Sequence, residues 1–270
     1  MARAENLIGR TSAEVLSHLA QTHPEVATFT LGYYECMFER GSSGRHLGMS
    51  HWEEVPRAKV IIPGWAEAAE KLLPGENQTL AICSRVRLID GTNRHIPMLD
   101  VDSLFPCYDS ATGEFTERGQ DEVLVAAKKL EANLAKLDFP SGYILHSGHG
   151  LHFIGLQLVD ETDFHPLADL VQMEIRNTDG NWAGYAQDYE FFALRLNVGQ
   201  YKFMVPRVVL VFQAICEPTK YKQHLNYTRK PSVPWWRNPE YPYLNSEKWD
   251  QKNTENPIFS DLPDQELNKP

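Results

Sequence analysis

Cysteine and unbroken apolar stretches are both scarce in this 270-residue chain. The four cysteines, Cys36, Cys83, Cys107 and Cys216, lie far apart and form no C-x-x-C pair. That spacing opposes a structural thiolate zinc site and predicts reduced, mostly buried thiols in a cytoplasmic protein. No apolar run approaches the roughly 20 residues that a bilayer-spanning helix needs, so no membrane partner is expected. The opening stretch, Met1 to Arg10, is too polar for a secretory signal. Positive charge is short as well: 26 Lys and Arg stand against 36 Asp and Glu, a formal net of -10. That balance weighs against tight non-specific nucleic-acid binding, which rests on cationic contacts to phosphate. It leaves open a local basic groove, or a nucleotide held through a metal ion.

What is present suffices for one large core or a core with a small satellite, since 42% of the residues are hydrophobic. Residues 12 to 40 read as one or two helices, with Leu16, Leu19, Val26, Phe29 and Leu31 as an imperfect stripe and His23-Pro24 as a break. Thr11 with Glu14 three residues on suggests a capping box. Residues 41 to 63 have poor periodicity, with a turn at 41 to 44. A short helix is predicted over 65 to 73. Strands are predicted at 78 to 88 and 95 to 103, forming a hairpin about Asp90-Gly91. The clearest helix is 121 to 137, where Val123, Ala126, Ala127, Leu130, Leu134 and Leu137 recur at helical spacing. Strands follow at 143 to 146 and 151 to 159, a helix at 166 to 176, and strands at 191 to 198 and 208 to 212. Hairpins of this kind oppose a doubly wound parallel sheet and point to an α+β fold, with helices packed on a mainly antiparallel sheet. The expected organisation is a helical portion over 1–77 packed on the core, a core over 78–217, and a Pro- and aromatic-rich arm over 218–270.

Two segments carry chemistry. In H-I-P-M-L-D-V-D-S, residues 95 to 103, strand alternation puts Asp100 and Asp102 on one face with Met98. Like charges side by side repel, and a divalent cation removes that penalty; carboxylate oxygens suit Mg²⁺ or Mn²⁺. A strand that merely ends in polar residues is the plainer reading. In Y-I-L-H-S-G-H-G-L-H-F-I-G, residues 143 to 155, apolar strands flank a turn made of Ser147, Gly148, His149 and Gly150. Glycines let the backbone approach a ligand, and turn amides can cradle a phosphate. His152, at the start of the return strand, could donate to a triphosphate or to a carboxylate ligand. Rival readings are a zinc trio of His146, His149 and His152, and a glycine turn with incidental histidines.

At these residues the chain resembles the archaeo-eukaryotic primase superfamily, which includes primase-polymerases and the polymerase domains of bacterial end-joining ligases. That family's first motif is a pair of acidic residues one apart on a strand, similar to Asp100 and Asp102. Its second is a serine, a glycine-containing turn and a histidine on the next strand, similar to Ser147, Gly148, Gly150 and His152. The resemblance covers about residues 78 to 212. It implies an RRM-like sheet packed with helices and metal-dependent nucleotidyl transfer from a nucleoside triphosphate on a single-stranded DNA or RNA template. Asp100, Asp102 and His152 would be catalytic, the two aspartates would hold Mg²⁺ or Mn²⁺, and Ser147, Gly148, His149 and Gly150 would hold the triphosphate. The chain departs from the family at its third motif, an acid on a later strand. Arg195 stands there in F-F-A-L-R-L-N, with Asp188 and Glu190 before it and Asp160, Glu161 and Asp163 after the histidine strand. A subset of small bacterial and phage primase-like proteins is similar in the tryptophan and Leu-Arg pattern that Trp182 and Arg195 keep. The departure leaves three functions in view besides transfer: a degenerate nucleotide- or nucleic-acid-binding module, a metal-dependent nuclease or phosphohydrolase, and a structural protein.

Basic residues complete the expectations. Arg85 and Arg87 share a strand face, with Arg94 nearby, and could meet nucleotide or template phosphates. Lys202, Arg207, Lys220, Lys222, Arg229, Lys230 and Arg237 form a loose belt interleaved with Tyr221, Tyr227, Trp235 and Trp236, a composition suited to stacking on a single strand or to packing of the arm. Arg195 should project opposite Leu194 and Leu196. On the face of the aspartates it would contact phosphate or bridge to Asp102 as a bidentate fork.

Overall fold

The computed structural model describes residues 6–38, 45–72, 78–101, 120–137, 139–148, 150–161, 163–164, 191–198 and 204–214. The turn expected at 41 to 44, the helix at 166 to 176 and the arm over 218–270 lie outside these residues. The fold is a mixed α/β arrangement of two antiparallel sheets with helices.

Helix α1 (Ser12–Thr22) begins on the expected capping box. Thr11 Oγ1 accepts from the Glu14 amide at 3.2 Å and the Glu14 carboxylate accepts from the Thr11 amide at 2.8 Å. The residues that follow do not continue the helix, as their spacing had suggested. Strand β1 (Val26–Phe38) runs there, paired with β2 (Arg45–Pro56) where no regular element was expected. The reason is a bulge. On the next strand, β3 (Gln78–Leu88), Leu88 faces Val26 and Arg87 faces Thr28, so β1 carries one extra residue there. Buried Val26 and Phe29 therefore fall three apart, a helical spacing produced inside a strand. Beyond it, buried Phe29, Leu31 and Tyr33 alternate as a strand requires. Two short helices, α2 (Arg57–Val60) and α3 (Trp65–Lys71), return the chain to β3.

The predicted hairpin is present between β3 and β4 (Asn93–His95), and Gly91 in its turn has φ +84. The strand expected over 95 to 103 is divided. Pro97 lacks the amide a ladder needs, and after it the chain enters a different sheet as β5 (Met98–Val101). Helix α4 (Gln120–Lys136) buries the expected stripe of Val123, Ala126, Ala127, Leu130 and Leu134. Strands β6 (Gly142–His146) and β7 (Leu151–Gly155) form the second predicted hairpin. The stretch expected as one strand to residue 159 is divided too, and β8 (Val159–Asp160) pairs with β4 in the first sheet. Strands β9 (Ala193–Arg195) and β10 (Arg207–Phe212) complete the described elements.

The first sheet has the order β2-β1-β3-β4-β8, with β9 also paired to β3; the second has the order β10-β6-β7-β5. Chain segments 95–98 and 155–159 pass between the sheets in opposite directions, and the Gly155 amide donates to the Pro97 carbonyl at 2.8 Å where they cross. One continuous hydrophobic core takes side chains from α1, α3, α4 and both sheets.

Candidate nucleotide site

Register decides which face of the second sheet holds which side chains. Leu99, Phe153 and Ile144 lie across from one another on β5, β7 and β6, and Asp100, His152 and Leu145 form the next row on the opposite face. Phe153 packs edge-to-face on Phe139, just beyond α4, with ring centres 5.8 Å apart, so its row lies on the α4 side. Tyr143 shares the other face and meets His18 of α1 at 6.1 Å. Asp100 and His152 thus look away from α4, toward the side where α1 sits.

Asp100 Oδ1 lies 3.6 Å from His152 Nε2, with the imidazole almost wholly buried and the carboxylate 21% exposed. This is ion-pair range for a protonated imidazole, and longer than a good hydrogen bond. Beside the pair, the turn joining β6 to β7 closes through the Ser147 amide, which donates to the Gly150 carbonyl at 3.0 Å. Gly148 holds φ +95, where a side chain is strained, and a Cβ there would stand 3.1 Å from Met204 Cγ. Ser147 itself is buried.

Arg195 reaches this turn from the first sheet. Alternation on β9 continues without a bulge: Phe191 and Ala193 form a small buried cluster with Ala81 and Cys83, while Leu194 and Leu196 enter the main core. One terminal nitrogen of the guanidinium, which is 7% exposed at the residue level, donates to the Asn197 carbonyl at 2.6 Å and to the Met204 carbonyl at 2.5 Å. The other donates to the Ser147 carbonyl at 2.6 Å. Asn197 is a structural pin that the sequence did not single out: its amide oxygen accepts from the Leu80 N–H at 3.0 Å and its amide nitrogen donates to the Leu72 carbonyl at 2.7 Å. Nothing in the residue pattern marks Asn197 or Met204, because their roles depend on segments far apart in the chain.

The expected residues therefore divide. Asp100, His152, Ser147, Gly148, Gly150 and Arg195 gather about one turn. Arg85 and Arg87 share a face of the first sheet, where Arg85 lies over the Phe191 ring at 5.1 Å and Arg87 approaches Glu54 at 3.6 Å. Arg94 pairs with Asp160. Cys83 is a free and fully buried thiol, and burial pushes its pKa up, which keeps it neutral. Asp102, His149, Trp182, Asp188, Glu190, Lys202 and the basic belt from Lys220 on lie outside the described residues. His146 and His152 stand on opposite faces of the β6–β7 hairpin, since His152 shares its row with Leu145. That parity argues against the zinc trio. Among the described residues no three His, Cys, Asp or Glu side chains gather as an ion cage. Asp100 offers one hard oxygen donor, which suits a cation that also takes oxygens from a phosphate ligand.

The fold is a mixed α/β arrangement consistent with a primase-like one, and in it Asp100 on β5 stands against His152 of the glycine–histidine hairpin. The family model for archaeo-eukaryotic primase 1D-like proteins, the AEP-like family, matches residues 65–203, just over half of the chain, and the chain belongs to that family. No curated protein and no solved structure matches it. Among the described residues no helix is long and apolar enough to cross a membrane.

Proposed function

We propose that this protein is a nucleotide-binding primase-like module, in which Asp100, His152 and the turn from Ser147 to Gly150 receive the triphosphate of a nucleoside triphosphate. The observation that carries the reading is the cross-strand pair, Asp100 against His152 at 3.6 Å beside the glycine turn. A carboxylate without a cation at hand would repel a triphosphate. Mg²⁺ or Mn²⁺ removes that repulsion and belongs to the proposal, with Asp100 and Asp102 as protein donors and phosphate oxygens as the others. His152, held rigidly on β7, donates to phosphate, and Ser147, Gly148, His149 and Gly150 line the anion's path. A single-stranded DNA or RNA segment is the second proposed partner, with Arg85 and Arg87 as its contacts. Within this reading the β5–α4–β6–β7 order, with β5 beside β7, is the RRM-like element. Binding is favoured over turnover because Arg195 occupies the strand position where the family pattern has a third carboxylate, and a cation there opposes a second metal ion.

Template-directed nucleotidyl transfer is the second reading, favoured by the family match over residues 65–203. Calorimetric titration with a non-hydrolysable nucleoside triphosphate in Mn²⁺ tests the first. Asp100→Asn should lower affinity tenfold or more and remove its dependence on Mn²⁺. His152→Ala should lower affinity and keep that dependence, since a charge-assisted hydrogen bond is worth roughly 1.5 to 3 kcal/mol. Primer extension on a single-stranded template by the wild type, lost in Asp100→Asn, would move the assignment to the second reading. Absence of any nucleotide binding with either ion would reject both.

A further inference from the structure

The geometry points to Arg195 as the positioning residue of the glycine turn: its guanidinium is a clamp that sets the turn's backbone from beneath. This deepens the nucleotide-binding reading and rests on it for its functional consequence.

A guanidinium has five N–H groups in a fixed plane. Three of them meet the carbonyls of Ser147, Asn197 and Met204 at 2.5 to 2.6 Å. Those carbonyls come from two places: the Ser147 carbonyl from the β6–β7 turn of the second sheet, the others from the chain after β9 of the first. Arg195 is itself fixed, since its strand pairs with Ala81, Ile82 and Cys83 of β3. The clamp therefore ties the turn to the first sheet through the guanidinium's hydrogen bonds. Met204 is drawn in by the same nitrogen and lies against Gly148, whose missing Cβ leaves it room.

Orientation follows from the peptide plane. In a trans peptide the carbonyl and the next N–H point in opposite directions. With the Ser147 carbonyl directed at Arg195, the Gly148 N–H is directed away from it. The same contact puts a full positive charge 2.6 Å from the turn backbone. In a buried setting that charge raises the local potential and favours an anion on the turn. Arginine at this position thus serves geometry and charge together. Lysine can keep the charge and cannot span three carbonyls, because its ammonium is a compact point on a flexible stem.

Two measurements on the whole 270-residue chain decide the matter. The first is amide hydrogen exchange by mass spectrometry over peptides containing residues 147–151. Arg195→Lys should speed exchange there by tenfold or more, while peptides from α4 keep wild-type rates. The second is affinity for a non-hydrolysable adenosine triphosphate analogue in Mn²⁺. Arg195→Lys should weaken it about tenfold, Arg195→Ala more, and added methylguanidinium should restore part of the alanine variant's loss. A role in stability alone predicts no such rescue and no excess of turn exchange over α4 exchange. Should the alanine variant fail to fold, the lysine variant still gives both readouts. Wild-type turn exchange in Arg195→Lys would overturn the clamp. If the wild-type protein binds no nucleotide, the binding reading fails by itself, and the exchange data still decide whether Arg195 sets the turn.

Discussion

At the scale of single residues, the decisive polar contacts are made by side chains that serve the backbone. Asn197 takes the place of a neighbouring strand for Leu80 and reaches Leu72 with its other end, joining β3, the α3 terminus and the segment after β9. A buried N–H left without its partner costs about 1 to 3 kcal/mol. Asn197→Ala should therefore lower the urea midpoint by a matching amount with an unchanged m-value, and an unaltered midpoint would show that water or another group replaces the amide. Arg195 works in the same manner on a larger span. The sequence anticipated a guanidinium aimed at phosphate or carboxylate; in the fold it also donates to the carbonyls of Ser147, Asn197 and Met204. Asp100 and His152 were each marked by residue type and motif spacing, and the cross-strand register that sets one against the other comes from pairing of β5 with β7.

Elements formed from local signals behave as those signals require. The Thr11–Glu14 box starts α1. Thr11→Ala should cost about 0.5 to 2 kcal/mol, read from thermal or urea unfolding; part of that loss belongs to Glu70, which accepts from the same hydroxyl. Glu14 also predicts a pH effect. Burial pushes its carboxyl up, but the Thr11 backbone N–H and the Arg10 guanidinium outweigh burial and hold the pKa below its ordinary value. A pKa lowered by folding means that the ionised form stabilises the fold above the unfolded pKa. The contribution is lost as pH falls through the folded pKa. Stability should thus decline on acidification from about pH 5 to pH 3, and Glu14→Gln should make that decline shallower. Equal slopes for the two proteins would remove Glu14 from the effect. Strand β1 shows how a local signal misleads: a bulge imposes a three-residue spacing on Val26 and Phe29, and that spacing imitates a helix.

For the whole molecule, the two sheets share chain and core. Segments cross between them at Pro97 and at Gly155, and one apolar cluster takes residues from both. Phe153 lies on the second sheet between Phe139 and Phe212, at ring distances of 5.8 Å and 6.2 Å. Phe153→Ala removes a fully buried ring and should cost about 3 to 5 kcal/mol. Because the core is continuous, the loss should appear as a single unfolding transition shifted to lower temperature, by calorimetry and by circular dichroism alike. Two separated transitions would mean that the sheets unfold independently.

The chain's own pattern determined the capping box of α1, the apolar stripe of α4, both hairpins and the acidic and glycine–histidine motifs, since each is written in neighbours within a few residues of one another. It also held the primase-like resemblance, now carried by the match over residues 65–203. Tertiary structure decided what depends on distant partners. Pro97 and Gly155 divide two predicted strands between sheets, because a missing amide and a missing side chain allow the crossing there. Strand pairing opposes Asp100 to His152 and parts His146 from it. The direction of Arg195 was open in one dimension, because alternation tells which face a side chain leaves from and not which carbonyls stand across from it. Those carbonyls arrive from 48 residues upstream and from 2 and 9 residues downstream, a convergence that only packing of the two sheets produces.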